Sequence, residues 1–147
     1  MAAPSRFLAL VTRNQLAEMF APTYARARNI DPNEAYTRLE VALRDLRLIE
    51  GLQQAAWRGL RTRKPALDDG AILDVVSTKL AKRRQYKPVP SGRSSEGAIA
   101  ALIVLVDLAA GVGSGESYDL IESPEGELLL ARGFELTGGH LAGELLR

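Results

Sequence analysis

Through the first two-thirds of the chain, apolar residues recur at three- and four-residue steps, so the elements they predict are helices. Thr12 or Asn14 is expected to cap a first helix through Leu16, Ala17 and Met19 toward Phe20, where Pro22, lacking a backbone donor, stops or kinks it. A second short turn of helix follows from Thr23 to Asn29. Asp31-Pro32-Asn33-Glu34 is the firmest local reading: Asp31 caps, Pro32 sits in the first turn, and Glu34 faces the positive end of the helix dipole. The helix opened there is expected to run to about Arg61, with Ala35, Leu39, Ala42, Leu46, Ile49, Leu52, Ala56 and Leu60 on one stripe. Pro65 ends that segment, and Asp68 or Asp69 caps a third helix whose Ile72, Val76 and Leu80 share a face.

Lys87-Pro88-Val89-Pro90-Ser91-Gly92 reads as an extended linker, because each proline turns the preceding residue away from helical angles. Ser94 or Ser95 then caps an apolar fourth helix that Gly111 ends. From Tyr118 to Ala131 the pattern fits a hairpin turning at Pro124-Glu125-Gly126, with a short helix from Leu128 to Arg132 as the alternative; the hairpin is preferred. A last amphipathic segment, Leu141 to Arg147, is interrupted upstream by Gly138 and Gly139. The expected fold class is mainly α, a compact bundle of four to five helices, with that small hairpin over 118–132. A single domain is expected over residues 1–147, comprising a basic helical region (residues 1–87), a linker (88–93) and an acidic C-terminal region (94–147).

Composition agrees, since 46% of residues are hydrophobic but only 5% aromatic, which suits helix packing better than a β-sandwich core. With no cysteine there is no disulfide framework, thiol nucleophile or thiolate zinc site, and a cytoplasmic location is expected. The run Phe7–Val11 is shorter than the roughly 7–15 residues of a signal-peptide core. Ala98–Val112, broken by Asp107, falls short of the roughly 20 residues needed to span a bilayer, so a buried helix is expected and no membrane partner.

Charge changes the picture most. The chain carries a formal +1, yet residues 1–93 hold a net of +8 and residues 94–147 a net of −7. Such asymmetry points either to an acidic or nucleic-acid partner for the basic region or to pairing with the acidic region, within one chain or between copies. Arginine outnumbers lysine 15 to 4, which suits bidentate phosphate contact. The candidate nucleic-acid contacts are Arg26, Arg28, Arg61, Arg63, Lys64, Lys79, Lys82, Arg83, Arg84 and Lys87, with Arg58 in the same run; most also sit where a helix C-terminus favours positive charge anyway. Leu39, Leu46, Ile49 and Trp57 on the long helix are the candidate protein-interface residues.

Two segments resemble known motifs. Thr12 to Arg28 resembles a helix-turn-helix DNA-binding unit, with Ala21 at the turn where glycine is usual and a second helix of only about seven residues; the resemblance implies that Arg26 and Arg28 face the groove or its phosphates. Leu105-Val106-Asp107-Leu108-Ala109-Ala110-Gly111-Val112-Gly113-Ser114-Gly115 resembles the first motif of class I methyltransferases, which implies a turn cradling S-adenosylmethionine. Only 32 residues follow Gly115, too few to complete that doubly wound sheet, so the match is read as coincidental. The same glycines fit a phosphate loop poorly, since Glu116 stands where its lysine belongs and a carboxylate repels phosphate. His140 lies four before Glu144, a two-ligand spacing without a third ligand, so no metal is expected.

No acid–base pair and no cofactor can be nominated. The function expected is a non-enzymatic helical interaction or assembly module that associates with a protein partner or with itself through opposite charges, the alternative being DNA binding by the basic helices.

Overall fold

A computed structural model of the chain describes residues 2–82, 103, 105–107 and 124–146. All regular structure among them is helical: α1 (Ser5–Leu10), α2 (Arg13–Arg28), α3 (Pro32–Ala42), α4 (Leu46–Arg63), α5 (Asp69–Ala81) and α6 (Pro124–Leu145), with helical backbone also at 103 and 105–107. Each helix from α2 to α5 opens on a side chain that accepts from the first turn: Thr12 from the Gln15 N–H, Asp31 from Asn33, Asp45 from Arg47 and Asp68 from Ala71.

Besides α1, which the sequence pattern did not predict, the elements differ from expectation in four places. Pro22 lies inside α2, which continues to Arg28. Met19, Phe20, Ala21, Thr23, Tyr24 and Ala25 are all buried around it, and packing on that scale outweighs the ~3 kcal/mol a proline costs in a helix interior. Asn29 then closes α2 in the left-handed conformation, φ 54°, which asparagine tolerates better than most residues.

The long helix of residues 31–61 is two helices. Leu43, Arg44 and Asp45 form a turn in which Asp45 recaps the chain as α4. The break shifts the helical phase, so Leu43 and Leu48 are buried while Leu46, assigned to the apolar stripe, is 71% exposed.

The expected hairpin is not made by the residues described. Pro124 to Leu145 is one helix with proline at its first position, where the missing N–H would be unsatisfied anyway; 118–123 lie outside the described residues. Nor do Gly138 and Gly139 interrupt it. A Cβ on Gly138 would stand 2.4 Å from the Ala55 carbonyl carbon, one on Gly51 2.8 Å from the Phe134 ring, and one on Gly59 2.9 Å from the Ala142 Cβ. The three contacts rise together along both chains, so α4 and α6 run parallel. They touch along Gly51, Ala55 and Gly59 on one side and Phe134, Gly138 and Ala142 on the other, four residues apart each time. Small residues at one-turn intervals let two helix backbones approach closely and gain dispersion contact over their length.

One apolar cluster joins all these elements. Phe7 and Trp57 pack with ring centroids 5.1 Å apart, and Leu16, Met19, Phe20, Tyr24, Leu39, Leu52, Leu60 and Ile72 surround them; Val106, Leu141 and Leu145 belong to the same cluster. The basic and acidic regions therefore share a core. The buried Gln53 amide donates to the Val11 carbonyl at 2.9 Å, and the Ala3 N–H donates to Gln54 Oε1 at 2.8 Å, tying the N-terminal segment to α4. No helix among the described residues is long and apolar enough to cross a membrane.

Candidate functional site

The basic candidates among the described residues are distributed over the ends of three helices, α2, α4 and α5. Arg26 is exposed on the last turn of α2, but Arg28 is ion-paired with Asp107, the carboxylate that interrupts the apolar stretch 98–112. Asp107 also accepts from the Tyr24 hydroxyl, so two residues one helical turn apart on α2 grip one carboxylate from the acidic region. Tyr24 is fully buried. Burial pushes its phenol up from the ordinary value, the hydrogen bond to Asp107 adds to that, and neighbouring Arg38 offsets some of it. Arg38 is itself paired with Glu34 at 2.8 Å, one turn away on α3. The Tyr24 and Asp107 end of this cluster is covered, while Arg28 and Glu34 reach the surface already paired with Asp107 and Arg38.

Arg61 donates to the Leu67 carbonyl at 2.7 Å and pairs with Asp69 at 3.2 Å, fastening the end of α4 to the start of α5. Arg63 crosses to α6 and donates to the Gly139 carbonyl at 3.0 Å. Lys64 and Lys82 are exposed and Lys79 half-buried, while Arg83, Arg84 and Lys87 lie outside the described residues. The helix-turn-helix resemblance fails on geometry: α2 is continuous over Arg13–Arg28, so no turn forms at Ala21 and no separate recognition helix begins there. The glycine segment 111–115 of the methyltransferase resemblance lies outside the described residues, as do the linker 88–93 and the His140 side chain.

The interface candidates divide. Leu39 and Trp57 are fully buried and hold the core, so neither is available to a partner; Ile49 is half-buried. Leu46 alone is well exposed, and the structure adds companions that periodicity did not reveal. Leu128 on α6 is 73% exposed, and Val41 and Leu136 are exposed to a lesser degree. Leu46 begins α4 and Leu128 lies in the second turn of α6, so the parallel register puts both at the same end of that helix pair. Exposed Arg44 and Arg47 flank Leu46, and exposed Glu135 stands on α6 before Leu136. Helical periodicity named Leu46 but kept it on one stripe with Leu39, and gave no pointer to Leu128 or Leu136.

Among the described residues, no group of three or more His, Cys, Asp or Glu is placed to hold a metal ion. No protein-family model, curated protein or solved structure matches the chain.

Proposed function

We propose that this protein is a non-enzymatic interaction module that associates with a second copy of itself through the end of the α4–α6 pair. The observation that carries this reading is the exposure of Leu46 and Leu128 at one end of two parallel helices, beside Arg44 and Arg47 and on the helix that bears Glu135. Single exposed leucines are ordinary, whereas apolar residues grouped with both signs of charge suit a self-complementary patch, in which each copy sets its basic turn against the acidic helix of the other. Buried leucines supply the affinity and the charges fix the register.

Light scattering after size exclusion, at roughly 0.02 M and roughly 0.5 M salt, is the test, the two conditions bracketing strong and weak screening. A dimer that weakens with salt and is lost in both Leu46→Glu and Leu128→Glu supports the reading. A monomer at every concentration and salt overturns it. So does a shift in size that needs a mixed-sequence DNA duplex and falls steeply with salt, which would make the exposed Arg26, Lys64 and Lys82 the working residues.

A further inference from the structure

A groove of about 510 Å³ runs beside the α4–α6 seam, lined by Ala55, Arg58, Gly59, Thr62, Arg63, Glu135 and Gly139. Ala55 and Gly59 line it where they meet Gly138 and Ala142 across the seam, and a Cβ on Gly139 would meet nothing within 4 Å. Gly139 thus faces open space, unlike its neighbour Gly138. The groove has the size of a small-molecule site, for which roughly 300–1,000 Å³ is usual.

Its charges are arranged, not scattered. Arg63 reaches across the seam, bonds the Gly139 carbonyl at 3.0 Å, and lies so close over α6 that a Cβ on Gly143 would stand 3.3 Å from its Nη2. That fixes the guanidinium at the groove while leaving most of its five N–H donors for something else. Arg58 lines the same groove one turn before Thr62, whose hydroxyl donates back to the Arg58 carbonyl at 2.9 Å. Two arginines face one carboxylate, Glu135, so the groove is net positive, over an apolar floor.

We infer that this groove binds a small amphipathic organic anion, its carboxylate or phosphate held by Arg58 and Arg63 and its apolar body lying on Ala55, Gly59 and Gly139. Arginine forks suit both head groups, and Glu135 accepts from a hydroxyl or amide on the ligand body. The groove shares Glu135 with the proposed self-association surface but does not rest on self-association, since Arg58 and Arg63 lie three or more turns along α4 from Leu46.

Calorimetric titration of the full chain with octanoate, inorganic phosphate and octylamine tests it. Octanoate is expected to bind at millimolar or better affinity, inorganic phosphate at least tenfold more weakly for lack of an apolar body, and octylamine not detectably. Arg58→Gln and Arg63→Gln each weaken octanoate at least tenfold. Gly139→Leu, which fills the groove without touching the seam, abolishes binding while the thermal midpoint holds. The inference is overturned if octanoate fails to bind, if octylamine binds as well, or if Gly139→Leu folds and binds octanoate unchanged.

Discussion

Gly138 and Gly139 are neighbours on α6 with opposite surroundings, and they make the sharpest test of the packing. A methyl at 138 would overlap the Ala55 backbone, so Gly138→Ala must push α4 and α6 apart; a loss of about 3 kcal/mol in urea unfolding is expected. A methyl at 139 meets open space, and Gly139→Ala gains about 0.5–1 kcal/mol from helix propensity. Equal effects of the two would mean the seam is not where the register places it. Tyr24 gives a pH-dependent prediction. Its phenol is raised above the unfolded value of 10.0, so the stability it contributes is complete below that pH and is lost as pH rises through the higher folded value. Tyr24→Phe, which leaves Asp107 short of a donor, costs about 1–2 kcal/mol at neutral pH and flattens the fall above pH 10. Parallel alkaline losses in the two proteins would assign that limb to other groups.

At the scale of elements, short side chains and turns decide where helices begin, and packing decides whether they continue. Asp45 turns one expected helix into two, and its carboxylate accepts from the Arg47 N–H at 2.9 Å. Asp45→Ala removes that acceptor and is expected to cost about 1 kcal/mol in thermal or denaturant unfolding, the typical worth of an N-cap. If the variant is as stable as the parent, the break at 43–45 is held by burial of Leu43 and Leu48 alone. Pro22 shows the reverse: a strong local stop signal is overridden because the residues on both sides of it are buried.

At the scale of the whole molecule, ion pairs among the described residues run both between and within the two charge regions. Arg28 of the basic region pairs with Asp107 of the acidic region, whereas the pairs made by Arg6, Arg38 and Arg61 use carboxylates of the basic region itself, Asp74, Glu34 and Asp69. Arg44 and Arg47 are exposed beside Leu46, on the surface proposed above for association. Reversing both, Arg44→Glu with Arg47→Glu, is expected to weaken the dimer at low salt by at least tenfold and to leave the thermal midpoint of the monomer within a few degrees, since surface charges contribute little to stability. Scattering at several concentrations reads the first quantity, and unchanged association would remove charge from the reading.

The helical character of the chain and the starts of α2, α3 and α5 were legible from the order of residues, because periodicity and capping are local properties of a few neighbours. Asp107 likewise stood out there as the lone charge in an apolar stretch. Long-range packing settled what local pattern could not. It carried α2 through Pro22, made a continuous helix of 124–145, and gave Gly138 its purpose, since what a glycine permits depends on which backbone lies opposite. It sent Leu39 and Trp57 inward and Leu46 outward, because a three-residue turn rotates every later position on its helix. Whether an arginine is bound or available was also set by distant partners such as Asp107 and the Gly139 carbonyl, which lie far from Arg28 and Arg63 along the chain and meet them only once the helices pack.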